Sequence, residues 1–185
     1  GTLFFDLEQI IEKHKPKVVF LENVKNLVSH DKGKTFKVIL EILEEKLGYK
    51  VFHKVLNTMT HANVPQNRER IFVVAFDPNQ VPNYANFQFP EEIQFTKTIH
   101  DILDKSNVCP TLTANMGAGG HNVPLIKDDF GIRKLTPKEC FAFQGYPIDK
   151  YILPPIANSK LYMQAGNSVT TPLIERISNE IIKVL

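Results

Sequence analysis

Three short stretches of this 185-residue chain place polar and charged side chains where chemistry could be done. The first is Glu22-Asn23-Val24, which follows directly on the apolar run Val18-Val19-Phe20-Leu21. If that run is a buried strand, an acid and an amide stand at its carboxyl end, the place where open α/β sheets bind their ligands. Otherwise such an acid is a salt-bridge partner or a helix cap. The second stretch is Pro65-Gln66-Asn67-Arg68-Glu69-Arg70, with Gln66, Arg68 and Arg70 at alternate positions before and into an apolar run. Alternate side chains of an extended chain lean to one face. Two guanidiniums are costly to bury without anionic partners, so the face is expected to meet a phosphate or carboxylate, or to form ion pairs with acids such as Glu69. The third is Gly166-Asn167-Ser168-Val169, a turn leading to a helix N-terminus, where backbone amides and short side chains suit a polar ligand. Each stretch alone is also compatible with a structural role.

The elements that must position these groups alternate in type. Leu3, Leu7, Ile10 and Ile11 mark one face of a first helix, and Lys15-Pro16 stops it. A strand over 18–21 follows. Phe36, Ile39, Leu40, Leu43 and Leu47 then recur at helical spacing, with Gly48 as the C-terminal cap. Residues 50–57 and 70–76 read as two more strands, with a loop over 58–69 between them. Helix, strand, helix is the grammar of an α/β fold. From Asp77 to Gln94 the chain turns irregular, with Pro78, Pro82 and Pro90, and reads as a linker out of the sheet. Further on, Thr136, Pro137 and Glu139 spell a capping box at the start of a helix. Thr171 and Pro172 open a terminal helix striped with Leu173, Ile174, Ile177, Ile181 and Ile182, which needs a cover.

Composition bounds the possibilities. With 43% hydrophobic residues and 13 Phe, the chain can bury a domain-sized core. Its net charge of +2 gives no bulk argument for a nucleic-acid partner. Lys13, Lys15, Lys17, Lys25, Lys32, Lys34 and Lys37 are crowded together with only Glu22 and Asp31 as acids, so one face should be basic, as a solvated helix surface also is. Cys109 and Cys140 form neither a C-x-x-C pair nor a disulfide framework, and a reducing, cytoplasmic setting is the expectation. No apolar run approaches the roughly 18 residues a membrane span needs, and no metal site is expected.

Taken in order, FLENVKNL, PQNRERIFVVAF, RKLTPKECFAFQGYP and QAGNSVTTPLIERI resemble the later motif blocks of the cytosine-C5 DNA methyltransferases of bacterial restriction-modification systems. The resemblance covers essentially the whole chain. It implies an incomplete S-adenosylmethionine-dependent methyltransferase sheet, α/β and Rossmann-like, with a small irregular target-recognition domain. Residues 1–76 would be part of the catalytic domain, 77–133 a shortened target-recognition region, and 134–185 helices returning to the catalytic domain. In this family a cytosine is flipped from duplex DNA, attacked at C6 by a cysteine thiolate, methylated at C5 from S-adenosylmethionine and released by β-elimination. The resemblance assigns Glu22 to N3 and the exocyclic amine of the base, where a carboxyl giving a proton makes C6 more electrophilic. It assigns Arg70 to the base O2 and Arg68 to the catalytic loop or a phosphate, with Gln66 supporting them. Asn23 would brace the cysteine loop, and Asn167, Ser168 and Val169 would close over the methionine end of the cofactor. Thr111, Thr113, Gly119 and Gly120 would face DNA.

The departures are equally specific. The family's Phe-x-Gly-x-Gly cofactor loop and its Pro-Cys nucleophile do not occur in the chain. Cys109 is followed by proline, the reverse order, and Cys140 lies in a helix where a free thiol packs as a small apolar group. The interval from Arg70 to Arg133 is short for the family. Three readings follow from the resemblance: the later part of a DNA methyltransferase, a subunit of a split one that pairs with a partner carrying the missing motifs, or a related enzyme acting on transfer RNA. The missing strands would leave an apolar sheet edge exposed.

Overall fold

The first helix, α1 (Leu3–His14), ends where Lys15 adopts a left-handed φ of 44° and its amide closes the last turn on Ile11 O at 2.8 Å. Pro16 then prevents any continuation. Three strands follow in the chain, β1 (Val18–Val24), β2 (Lys50–Asn57) and β4 (Glu69–Phe76), and they form one sheet in the order β1-β4-β2. β1 and β4 run antiparallel, in register from Val18 opposite Phe76 to Val24 opposite Arg70. Between β1 and β2, α2 (Lys34–Glu41) passes into one π turn at Ile42–Lys46 and stops at Gly48, whose φ of 77° is a conformation glycine adopts without strain. The computed structural model describes residues 3–96, 108–118 and 122–185.

Two compact units make up the chain and do not follow the sequence in consecutive blocks. The first combines Gly1–Leu56, Glu69–Phe89 and Ser178–Leu185; the second combines Asn57–Arg68 and Pro90–Ile177. In the first unit Ile11, Phe36, Leu43 and Tyr49 pack on one face of the sheet against Val19, Ile71, Val73 and Ala75. Phe76, on the opposite parity of β4, joins Phe52 and Phe87 with ring centroids 5.3–6.0 Å apart. Phe87 and Val81 are buried, so the part of the expected linker up to Phe89 belongs to this unit and places two apolar side chains in its interior. The apolar stripe of α1 is also only partly used: Ile11 is buried, whereas Leu3 is 71% and Ile10 55% exposed.

The second unit opens with the segment expected to be a plain loop. It holds α3 (Thr58–Ala62) and the short strand β3 (Gln66–Asn67), which pairs in parallel with β5 (Cys109–Pro110). A two-stranded antiparallel hairpin follows, β6 (Leu125–Asp128) and β7 (Gly131–Lys134). Next comes α4 (Pro137–Ala142), and its capping box is formed as its sequence predicts: Thr136 Oγ1 accepts from Glu139 N, and the Glu139 carboxylate accepts from Thr136 N. α5 (Asn158–Asn167) and α6 (Thr171–Ile182) complete the order. Cys109, Leu112, Met116, Val123, Leu135, Cys140 and Ala165 form this unit's core. On α6, Leu173, Ile177 and Ile181 are buried and Ile182 is exposed. No helix among the described residues is long and apolar enough to cross a membrane.

Candidate active site

Glu22 does not follow β1; it lies within it, opposite Phe72 of β4, and Asn23 lies opposite Ile71. Pairing with β4 carries the strand three residues beyond the apolar run. The same register brings Arg70 beside Glu22, with Arg70 Nε 3.1 Å from Glu22 Oε1 and both side chains largely shielded, 13% and 26% exposed. Arg70 also donates to Glu69 O at 2.8 Å. Burial pulls the Arg70 guanidinium below its ordinary pKa, and the Glu22 carboxylate works against that pull. Lys25 and Glu69 form a more exposed pair beside them at 2.9 Å. Asn23 turns its Oδ1 onto Val24 N at 2.8 Å. Glu22 and Asn23 contribute to the wall of a cavity of about 470 Å³ that is otherwise mainly apolar, lined by Phe4, Leu21, Leu27 and Phe36 among others. Glu22 is the one acid among its lining residues.

Gln66 and Arg68 belong to a different arrangement, and the expectation of one anion-binding face for Gln66, Arg68 and Arg70 fails. β3 ends at Asn67 and β4 begins at Glu69, so the alternation of a single strand does not carry across Arg68. Arg68 is 3% exposed, and its guanidinium meets backbone carbonyls: Nη1 donates to Leu112 O at 2.8 Å, and Nη2 to Ser168 O at 2.7 Å and Gly166 O at 3.3 Å. Gln66, fully buried, donates to Phe143 O at 2.7 Å and accepts from Leu112 N at 3.1 Å. Both side chains fasten the Leu112 segment to the later helices.

The Gly-Asn-Ser turn is divided between two elements. Gly166 and Asn167 form the last turn of α5, and Ser168 caps it with Oγ on Ala165 O at 2.8 Å. Asn167 is exposed and Val169 half-buried. A Cβ at Gly166 would overlap the backbone of Thr113 and Ala114, so only glycine permits this close approach. The residue that sequence reasoning missed is Gln144. It is fully buried, donates to Ala165 O at 3.0 Å and accepts from Thr170 Oγ1 at 3.0 Å, while Thr170 Oγ1 lies 3.1 Å from Thr58 Oγ1. Its only sequence signal is its place inside RKLTPKECFAFQGYP, between apolar neighbours. Thr111 spends its hydroxyl on Asn67 O at 2.6 Å, and Thr113 precedes a 3-10 turn over Ala114–Gly117. Gly119 and Gly120 lie outside the described residues. Cys109 and Cys140 are both buried, and burial pushes the Cys140 thiol up to about 12, unlike an activated nucleophile. Among the described residues no group of three or more His, Cys, Asp or Glu is placed to hold a metal ion.

Comparison with known proteins matches the sequence of this chain to a family. The sequence model of the C-5 cytosine-specific DNA methylases matches residues 1–123 and 109–183. The type II methyltransferase M.Bsp6I of Bacillus sp. (strain RFL6) is 47% identical over 99% of this chain and 70% of its own length. M1.ScrFI of Lactococcus lactis subsp. cremoris is 34% identical over 100% of this chain and 56% of its own, and M.HpaII of Haemophilus parainfluenzae 35% over 100% and 65%. The chain thus spans a little over half to 70% of the length of these relatives. Among solved structures, the S. pombe Dnmt2 methyltransferase aligns with a TM-score of 0.72 at 15% identity, covering 97% of this chain and 70% of that one. The Entamoeba histolytica methyltransferase EhMeth aligns with 0.70 at 16%, covering 97% and 68%. These two likenesses support the fold, an α/β sheet consistent with an incomplete S-adenosylmethionine-dependent methyltransferase. The chain belongs to the C-5 cytosine-specific DNA methylase family, of the bacterial restriction-modification type.

Proposed function

We propose that this chain supplies the base-recognising side of a DNA cytosine-C5 methyltransferase, acting on a cytosine flipped from duplex DNA. The observation that carries the reading is the Glu22–Arg70 pair at 3.1 Å, of which Glu22 stands in the wall of a mainly apolar cavity. A cytosine presents N3 and an exocyclic amine on one edge and O2 beside them. A carboxyl hydrogen-bonded to N3 and the amine, with a guanidinium at O2, matches that edge atom for atom. Giving a proton to N3 draws electrons from the ring and opens C6 to a nucleophile. The low-dielectric wall strengthens the contacts of the carboxyl. The attacking thiolate comes from outside this sequence, because neither buried cysteine has the setting for it. Attack forms a C6–S bond, C5 takes the methyl group, and loss of the C5 proton with the C6–S bond restores the aromatic ring.

S-adenosylmethionine supplies the methyl group when bound. The exposed Asn167 amide makes no hydrogen bond among the described residues and leaves donors and an acceptor for the polar end of such a cofactor, with Ser168 and Val169 beside it. Arg68 and Gln66 act as positioning residues that hold the Ser168 and Leu112 segments. The family model matches in two segments that overlap over 109–123, which supports a shortened DNA-reading interval there, with Thr111 and Thr113 as its residues. The completing polypeptide, carrying the glycine loop and the Pro-Cys dipeptide, is either the amino-terminal part of the same protein or a separate subunit, and the upstream reading frame decides between them.

The test is tritiated methyl incorporation into duplex DNA, with transfer RNA as a second substrate. The chain alone should transfer nothing. Adding the completing polypeptide should restore transfer to DNA, and transfer should survive Cys109→Ser and Cys140→Ser together. Incorporation by this chain alone that Cys109→Ser abolishes would overturn the reading, as would transfer confined to RNA.

A further inference from the structure

The turn that carries Asn167, Ser168 and Val169 has both its ends held by one residue that is distant in sequence. Gln144, two positions beyond α4, donates from Nε2 to Ala165 O at 3.0 Å, near the end of α5, and accepts at Oε1 from Thr170 Oγ1 at 3.0 Å, one position before α6. Its main-chain oxygen accepts from Thr171 N at 2.9 Å. Ala165 O can only accept, so the amide nitrogen must face it, which turns Oε1 towards Thr170 and towards Gln66 Nε2, 3.3 Å away. Thr170 gives its one hydroxyl proton to Gln144, so Thr58 is the donor in the 3.1 Å contact between the two threonines. Gln144, Gln66, Thr58 and Thr170 are all buried. Next along the chain, Gly145 takes a φ of 80° and approaches Pro172 so closely that a Cβ there would fall 2.3 Å from the ring.

We infer that Gln144, with Thr170, is a positioning residue for the cofactor: it sets the distance between the end of α5 and the start of α6, and so the direction in which Asn167, Ser168 and Val169 are presented. The inference rests on the reading of that turn as the cofactor's. Packing alone does not call for these groups. A leucine would fill much the same buried volume without needing partners, whereas an amide satisfied at both ends admits one arrangement of its neighbours. The bonds of Gln144 fall on either side of residues 166–169, on Ala165 before them and on Thr170 and Thr171 after them. The inside of the turn is held separately, by Arg68 on Gly166 O and Ser168 O, while the Asn167 side chain stays exposed. Thr58 joins the two sets of contacts, because its amide donates to Arg68 O at 2.9 Å and its hydroxyl meets Thr170. A change at Gln144 or Thr170 therefore shifts the ends of the turn relative to the arginine that grips its middle.

The experiment takes the enzyme completed with the polypeptide that carries the glycine loop and the Pro-Cys dipeptide, and titrates it by calorimetry with S-adenosylmethionine and, separately, with duplex DNA. Gln144→Leu and Thr170→Val should each weaken S-adenosylmethionine binding about tenfold, the scale of one lost polar contact, and leave DNA binding unchanged. Thr170→Ser, which keeps the hydroxyl, should restore most of the affinity. Val123→Ala, which thins the core of the same unit outside this network, should lower stability and leave cofactor affinity as it was. In the chain alone, hydrogen exchange should quicken at the amides of Ser168 to Thr171 in Gln144→Leu more than in the rest of the unit, and should not do so in Val123→Ala. Unchanged S-adenosylmethionine affinity in either network variant overturns the inference. An equal loss in Val123→Ala, or an equal loss of DNA binding, also overturns it, because the effect would then be one of stability. A completed wild type that transfers methyl groups while the network variants bind the cofactor normally refutes the inference and leaves methyl transfer standing; a completed wild type that binds no S-adenosylmethionine sinks both.

Discussion

At the scale of single residues, the structure separates groups that the sequence grouped together. Glu22 and Arg70 face each other across β1 and β4, whereas Arg68 is wrapped in carbonyls. This predicts opposite phenotypes. Glu22→Gln keeps an oxygen that accepts from Arg70 Nε but gives no proton to N3. Turnover of the completed enzyme should therefore fall about 10²-fold or more, with a melting temperature close to that of the unaltered enzyme. Full turnover would return Glu22 to a structural role. Arg68→Ala should do the reverse. It strands three carbonyl acceptors in a buried site and should lower unfolding free energy by about 3 kcal/mol, read by urea titration of the chain. Arg68→Lys should recover little, since one ammonium cannot reproduce the planar fork that spans Leu112, Gly166 and Ser168. An unchanged urea midpoint in Arg68→Ala would show that these bonds contribute nothing.

At the scale of elements, what was legible in the sequence was what is local. The capping box of α4 needs only Thr136, Pro137 and Glu139, and it forms as read. It also makes a pH prediction. Arg133 first, with the Thr136 amide and hydroxyl, holds the Glu139 carboxyl down to about 2 against an ordinary 4.5. A carboxyl depressed in the folded state stabilises it above the ordinary value and loses that contribution as pH falls through the folded one. The contribution of this helix start should therefore be complete above about pH 4.5 and fade towards about pH 2. Comparing the acid melt of the chain with that of Arg133→Gln checks it: equal slopes in that window would refute the assignment. Thr136→Ala should cost about 1 kcal/mol at neutral pH. Strands β2 and β4 were legible too, from apolar runs. The extension of β1 through Glu22 and Asn23 was not, because those types disfavour strands and only pairing with Phe72 and Ile71 overrides them. Nor were the partners of Arg68, Gln66 and Gly166, which lie up to 100 positions away; no periodicity in a window of a few residues reports them.

At the scale of the whole molecule, the balance between buried and unburied apolar surface governs behaviour in solution. Among the described residues β1 pairs with β4 alone, so its other edge is left open along Val18–Asn23, a stretch without proline and with one charge. Leu3 and Ile10 of α1 stand more than half exposed, and Phe5 is 49% exposed. An open strand edge next to exposed apolar side chains is a template for further association. The chain by itself should therefore self-associate in a concentration-dependent way at micromolar levels. A polypeptide carrying the glycine loop and the Pro-Cys dipeptide should convert it to a discrete one-to-one species with a sharper melt, because covering the edge removes the template and adds a packed face. Sedimentation velocity across a concentration series, with and without that polypeptide, reads both effects. A chain that stays monomeric over the series and melts cooperatively alone would show that the three-stranded sheet needs no cover, and the completing polypeptide would then be required for chemistry only.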